Sequence, residues 1–254
     1  MLSRTILPAI ARLLTIFLPR STWYRAALLI SGVLALSLRL HGSIGPKPHR
    51  FEQAILLNRL LAFLTRARRP FPVPWRMSAE ARQVMDAAAA SGRGVVLCSG
   101  HLPLIKVGVR AFMESGRAPT AAIAAEPGPD GQIPIWGLAE RLPTLKAKPD
   151  VLLRTRTVLR RGGSILLLVD TIAGDYSPNI FRLAKATGAA VLFFTTELEG
   201  DGCVEVRVFR APYPGCGDQA EIAGNLRALD RQIKRISGKP QEGPFDTVPA
   251  VRLT

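Results

Sequence analysis

The apolar residues of the chain are distributed differently before and after residue 75. Two apolar stretches lie before it, at 5–18 and 26–38, and the second has 13 residues between Arg25 and Arg39. A helix needs roughly 20 apolar residues to span a bilayer. The pattern therefore favours helices that lie at a membrane surface, with flanking arginines reaching the lipid headgroups. The alternative is that both stretches are buried helices of a globular domain.

From residue 77 onward, helical and strand-like patterns alternate. Helices are predicted at 78–92, 103–115, 149–163, 177–188 and 218–233, and strands at 94–99, 119–126, 164–170, 189–196 and 203–209. Such alternation predicts an α/β fold with a mostly parallel sheet flanked by helices. The sequence thus predicts two regions: an N-terminal helical, membrane-associating segment with its Pro-rich connector (1–75), and an α/β domain (76–254).

Several residues define these elements more closely. Ser78 is predicted to cap its helix, and Ser177 is predicted to cap another that has Pro178 at its first helical position. The strand at 164–170 ("SILLLVD") is expected to be the most buried of the chain. The helical spacing of Ile222, Leu226, Leu229 and Ile233 predicts an amphipathic closing helix.

Two polar residues follow predicted strands directly. His101 comes after the strand in "GVVLCSGHLPLIK" (94–106), and Asp170 ends "SILLLVD". Ligands of parallel sheets bind beyond the carboxyl ends of the strands, so both residues are expected at one functional edge. A lone histidine at a strand-to-helix turn is often structural.

Cys98 lies three residues before His101 and is a second candidate, as a nucleophile paired with that histidine. The alternative is that Cys98 is a small strand residue packed in the core.

Composition and charge narrow the function classes. The chain carries 34 Lys and Arg against 19 Asp and Glu, a net charge of +15, which favours anionic partners. Only 6% of residues are aromatic, and no basic stretch is interleaved with them, so an anionic membrane surface is favoured over nucleic acid. The three cysteines lack CxxC spacing, which argues against a disulfide framework and against a zinc site. P-loop, GxGxxG, GxSxG and HExxH motifs are absent from the sequence.

The order of these features resembles that of the lysophospholipid acyltransferase superfamily, and most closely the bacterial lipid A (Kdo2-lipid IVA) late acyltransferases. The resemblance covers roughly 78–212, and is most specific in "VLRRGGSILLLVD" (158–170) and "RLAKATGAAV" (182–191). It implies an acyltransferase at the cytoplasmic face of the bacterial inner membrane, with no cofactor and no metal. The donor would be acyl carrier protein or acyl-CoA, and the acceptor a hydroxyl of a membrane glycolipid or lysophospholipid.

In that family, a His–x4–Asp/Glu motif carries catalysis: the histidine takes a proton from the acceptor hydroxyl, and the carboxylate orients the imidazole. Here Lys106 stands where the family has the carboxylate, and Glu126 and Glu197 stand near positions where the family commonly has arginines. The resemblance leaves His101 and Asp170 as catalytic candidates.

Two explanations compete for the lysine. Either Glu126 supplies the missing carboxylate from the neighbouring strand end, or the site has decayed and the protein binds lipid or a partner without catalysis. A third interpretation concerns the helix alone: Lys106, Arg110 and Glu114 recur every four residues and are compatible with a solvated face and an i,i+4 ion pair.

Substrate binding is expected from cationic side chains. Lys106 is a candidate, and so are the arginines of the helix preceding "SILLLVD", which would attract an acidic carrier protein or the phosphates of CoA. The alternative is that these arginines form a solvated or lipid-facing surface. They are Arg154, Arg156, Arg160 and Arg161.

Overall fold

A computed structural model of the chain describes residues 2–41, 48–66, 70–124, 132–136, 138–148, 150–169, 178–214 and 218–238. Three helices precede the sheet: α1 (Leu2–Phe17), α2 (Trp23–Leu40) and α3 (His49–Thr65). Trp23, Tyr24 and Ala27 of α2 are buried in a cluster with Leu57, Leu60 and Leu61 of α3. The same cluster includes Leu104, Val107 and Leu198, so these helices pack against the part of the chain that forms the sheet.

The sheet is mixed but mostly parallel, as predicted. The described part of the chain contains the strands β1 (Trp75–Met77), β2 (Val95–Ser99), β3 (Ala121–Ala124), β4 (Gln132–Pro134), β5 (Arg141–Lys146), β6 (Ser164–Leu168), β7 (Ala190–Leu198) and β8 (Val204–Arg210). They pair in the order β1-β8-β7-β2-β6-β3-β5-β4. Strands β7, β2, β6, β3 and β5 run parallel to one another, and β8 and β4 pair antiparallel to β7 and β5.

Helices flank the sheet and connect its strands. Phe112 of helix α5 (Ile105–Glu114) packs edge-on against Phe194 of β7, and Phe181 of helix α7 (Asn179–Thr187) packs against Phe193 of the same strand. Neighbouring residues of a strand point to opposite faces, so α5 and α7 cover opposite faces of the sheet. These helices are α4 (Ala79–Ala90), α5 (Ile105–Glu114), α6 (Val151–Arg160), α7 (Asn179–Thr187) and α8 (Gln219–Ser237).

Most element boundaries agree with the sequence predictions to within a few residues. Ser78 caps α4 by accepting a hydrogen bond from the Ala81 amide, and Ile222, Leu226 and Leu229 of α8 are buried. The predicted cap of α7 by Ser177 lies outside the described residues. Pro178 precedes α7 as its N-cap, rather than taking the first helical position that was predicted.

Two predictions, of the most buried strand and of the start of α5, are wrong. The most buried strand is β7, not β6: in the described structure it buries Val191 to Thr196 without interruption, whereas β6 is half-buried at both ends. In the Pro-rich connector, Phe71 and Val73 pack in the cluster with the N-terminal helices. Helix α5 begins at Ile105 rather than at 103, because Leu104 adopts a left-handed backbone conformation with φ of 63°.

Candidate functional site

The parallel strands end side by side at one edge of the sheet. Ser99 of β2 pairs with Leu168 of β6, and β3 lies on the other side of β6. His101, two residues beyond Ser99, is exposed to solvent at this edge. The other two predicted catalytic residues, Asp170 and Glu126, lie outside the described residues. Val169, the last described position before Asp170, directly follows β6, which is a neighbour of β2. Ala124, the last described position before Glu126, ends β3, which is separated from β2 by β6 and is not the direct neighbour of β2 that the sequence predicted.

The turn that carries His101 is held by hydrogen bonds from several elements. The Ser99 hydroxyl donates to the Phe194 carbonyl at 2.6 Å, and the Leu102 amide donates to the Gly100 carbonyl at 2.8 Å. The Thr196 hydroxyl of β7 donates to the Pro103 carbonyl at 2.9 Å. These bonds fix the turn on both sides of His101, which leaves the imidazole presented at the edge.

Helix α3 also contacts this turn. The Leu104 amide donates to the Asn58 side-chain oxygen at 3.1 Å, and the Leu104 side chain is fully buried. A left-handed conformation costs a residue with a Cβ atom about 1–2 kcal/mol. Burial of the leucine side chain and the hydrogen bond to Asn58 offset that cost. Asn58 was not singled out from the sequence, because nothing local marks a mid-helix asparagine as the partner of a turn 46 residues away.

Cys98 has the packing role that its position in a strand suggests. It is fully buried in β2, in a core cluster with Val96 and Phe193. Because the side chain has no exposed surface, a substrate in solution does not reach the thiol. Cys98 is therefore a structural residue of the core rather than a nucleophile partner for His101.

Lys106 lies in the first turn of α5 and is half-buried. Its ammonium group is 5.6 Å from the centre of the Trp136 ring, a cation–π geometry. Burial lowers the pKa of Lys106, since the charged form loses hydration. The lysine thus carries its charge in a partly apolar environment beside the edge that presents His101.

The interpretation of Lys106, Arg110 and Glu114 as a solvated helix face is wrong. The i,i+4 ion pair of Arg110 and Glu114 is present at 2.7 Å, but Arg110 is only 7% exposed. Its guanidinium donates to the carbonyls of Phe71 at 2.9 Å and Trp136 at 3.2 Å. Arg110 is buried because these backbone carbonyls and Glu114 replace its hydration.

The predicted substrate-binding arginines are exposed; Arg154, Arg156 and Arg160 are spread along α6, and Arg161 directly follows it. Helix α6 leads directly back to the start of β6, so its last residues lie at the amino-terminal edge of the parallel strands. Arg160 and Arg161 are therefore at the edge opposite His101, while Arg154 lies nearer the beginning of the helix. The structure does not bring Arg160 and Arg161 together with His101 and Lys106.

A cavity of about 380 Å³ adjoins the His101 turn, and the sequence alone did not indicate it. It shares Pro103 and Thr196 with that turn and is also lined by His49, Arg50 and Arg235.

Glu197 also lines this cavity and forms two ion pairs. Its carboxylate is 3.7 Å from the guanidinium of Arg235 and 3.4 Å from that of Arg207. The cavity forms where the start of α3 meets β7 and the end of α8, three segments far apart in the sequence.

A group of carboxylates surrounds Arg207 near this cavity. Glu205 pairs with the guanidinium at 2.6 Å and Glu199 at 3.7 Å. Burial, followed by a hydrogen bond with Glu205 and the nearby negative charges, raises the pKa of Glu199. Among the residues that the structure describes, no group of three or more His, Cys, Asp or Glu side chains could hold a metal ion.

The N-terminal helices expose an apolar surface. Arg20–Leu40 is long and apolar enough to cross a membrane by length and composition, with a mean hydropathy of 1.3, although core helices and signal sequences share those properties. Phe17 of α1 is 74% exposed, and Leu29, Val33 and Leu40 of α2 are 68–78% exposed. We call the exposed side chains of Leu13, Ile16, Phe17, Leu29, Val33, Leu36 and Leu40 the apolar face.

Comparison of the sequence with protein-family models and with curated proteins gives no match to either.

Proposed function

We propose that the protein is a membrane-associated O-acyltransferase in which His101 is the general base. The observation that carries this proposal is the exposed His101, two residues beyond the end of β2, on a turn held by β7 and α3. A general base needs such a position, because a substrate must come within hydrogen-bond distance of its nitrogen. The mostly parallel sheet agrees with the fold that the acyltransferase resemblance implies.

The proposed reaction transfers a fatty acyl chain from acyl carrier protein or acyl-CoA to a hydroxyl of a membrane glycolipid or lysophospholipid. The imidazole of His101 takes the hydroxyl proton as the oxygen attacks the thioester carbonyl carbon. The carbon–sulfur bond then breaks, and the imidazolium returns the proton to the departing thiolate. An ester and a free thiol are formed, and no oxidant, reductant or metal takes part.

Lys106 is proposed to bind an anionic part of the substrate. Its ammonium is half-buried, and an ion pair formed in such an environment is stronger than one in water. Asp170 and Glu126 remain proposed carboxylate partners of His101. Glu126→Gln and Asp170→Asn test them, since each removes a charge at nearly constant size.

The apolar face supports attachment to a membrane, and the charge of +15 supports an anionic one. We place the protein at the cytoplasmic face of the bacterial inner membrane by the acyltransferase resemblance.

A second candidate function is lipid binding without catalysis. The observation that favours it is Lys106, a cation at the position where the resembling family has the carboxylate that orients the histidine. An inactive homologue would bind the acceptor lipid but would leave the acyl thioester intact.

The experiment is transfer of a labelled acyl group from acyl carrier protein or acyl-CoA to extracted bacterial membrane lipids by the full chain. His101→Ala should lower the transfer rate about 10²–10⁴-fold. His41→Ala is the matched control, because His41 is also exposed but lies at the end of α2. Equal transfer by wild type and His101→Ala would refute the role of His101. Lipid binding by a wild type that transfers nothing would favour the second candidate.

A further inference from the structure

A second cavity, of about 390 Å³, lies at the opposite edge of the sheet from His101. It is bounded by the last turns of α4 and α7, the beginning of β7 and the end of β8. Its volume is within the range of pockets that hold small molecules. The proposed acyl transfer makes no use of it.

The charged residues of this cavity are all cationic. Arg93, Lys185 and Arg210 line it, and no carboxylate is among the described residues that do so. Arg93 and Arg210 are exposed, and neither forms an ion pair with a residue that the structure describes. Arg160 and Arg161 lie at the same edge of the sheet. The charges of Arg93 and Arg210 at one cavity repel each other, and an anion between them would relieve that repulsion.

The helix ends explain only part of this arrangement. Cations stabilise the carboxyl ends of helices, and Lys185 lies in the last turn of α7 and Arg93 just after α4. Arg210, however, ends a β-strand, so its position in the sequence is not that of a residue at the end of a helix. The cavity is also lined by small apolar side chains, those of Ala87, Ala88, Ala184 and Ala190.

We propose that this cavity, defined by Arg93, Lys185 and Arg210, binds a small soluble organic phosphate. Arginine pairs bidentately with phosphate oxygens, and a phosphate dianion neutralises more of the cluster than a carboxylate does. The alanine walls provide contact for an apolar or flat body. A soluble ligand is favoured over a lipid headgroup because the N-terminal helices pack near Leu198 and Val204, at the other edge. Strand β7, which joins the two edges, is about 26 Å long at 3.3 Å per residue.

The test is calorimetric titration of the full chain, in a zwitterionic detergent, with phenyl phosphate and separately with inorganic phosphate. Phenyl phosphate should bind more tightly, because only it has an apolar body. Binding should strengthen as the pH rises through about 6, where a phosphate monoester becomes a dianion. The double variant Arg93→Glu with Arg210→Glu should weaken binding at least about tenfold, since each hydrogen bond to a charged group is worth that much.

Two further variants show whether weaker phosphate binding comes from the cavity itself, from the change in net charge, or from a loss of folding. Arg227→Glu with Arg231→Glu makes the same charge change on the exposed face of α8 and should bind as wild type does. Arg93→Gln with Arg210→Gln removes the cations without adding carboxylates and should also weaken binding, with an unchanged thermal unfolding midpoint.

Three results would overturn the proposal. They are no binding of phenyl phosphate by wild type at millimolar concentration, equal weakening by the α8 control, or binding only to vesicles that contain phosphatidic acid. None of these results bears on acyl transfer by His101, so the two proposals fail separately.

Discussion

The charge of Lys106 is unfavourable for folding where the residue lies. Burial lowers its pKa, so the folded chain holds this proton less tightly than the unfolded chain does. The cost is fully present at pH values below the folded pKa. It decreases as the pH rises from that value toward the ordinary lysine pKa of 10.5, because the folded chain becomes neutral first. The contact with the Trp136 ring offsets part of this cost.

Lys106→Met should therefore raise the free energy of unfolding at pH 7, since methionine has a similar length and also packs well on an aromatic ring. The advantage over wild type should shrink as the pH rises toward 10.5. Lys146→Met, at an exposed position, should change stability by no more than about 0.5 kcal/mol. Urea unfolding at several pH values measures all three. A variant less stable than wild type at pH 7 would contradict the burial argument.

Arg110 is a structural residue of the same helix. Arg110→Met would leave the carbonyls of Phe71 and Trp136 without their donor, so we expect a loss of about 2–4 kcal/mol in the free energy of unfolding. Arg82→Met, on the exposed face of α4, should cost less than about 0.5 kcal/mol. Equal stability of the two variants by urea unfolding would show that Arg110 does not hold these segments.

At the scale of elements, α3 is tied to the turn before α5. Asn58→Leu removes the acceptor of the Leu104 amide, and we expect a loss of about 1–2 kcal/mol of stability. Asn58→Asp keeps a side-chain oxygen there and should lose less. Under the proposed function, acyl transfer should fall in the same order, because the turn positions His101. Identical unfolding curves for Asn58→Leu and wild type would rule out this role.

The apolar face is expected to attach the protein to membranes. Leu29→Glu with Val33→Glu should therefore leave much more of the protein in the supernatant when cell membranes are sedimented. High salt alone should not release the wild type from the membranes. Leu152→Glu with Leu153→Glu is the matched control, because these residues are also exposed but lie on α6. Substitution is a better test than truncation, since Trp23 and Tyr24 of α2 are buried in the core. A wild type that is wholly soluble without detergent would contradict attachment.

The elements that the sequence predicted well are those with local signals. The strand before His101 is a continuous apolar run, as expected for a buried parallel strand, and α4 has its cap in Ser78. The start of α5 was wrong because it depends on Leu104, whose conformation is supported by Asn58 of α3 and by the packing of a distant cluster. Arg110 was expected in solvent for the same reason: its partners Phe71 and Trp136 are distant in the sequence.

At the scale of the whole molecule, the sheet separates two regions of different chemistry. His101, Lys106 and the neighbouring cavity lie at the carboxyl edge, where the N-terminal helices also pack. Arg93, Lys185 and Arg210, with Arg160 and Arg161, lie at the amino edge. A donor that contacts Arg160 must therefore extend along the molecule to bring its thioester to His101.

The most direct test of the proposed acyl transfer is mass spectrometry of the membrane lipids of a strain that lacks the gene. We expect that one glycolipid or phospholipid class of this strain loses the mass of one fatty acyl chain. Expression of the wild type should restore that mass, and expression of His101→Ala, at equal protein level, should not. Unchanged lipid masses in the deletion strain, or full restoration by His101→Ala, would contradict acyl transfer by His101.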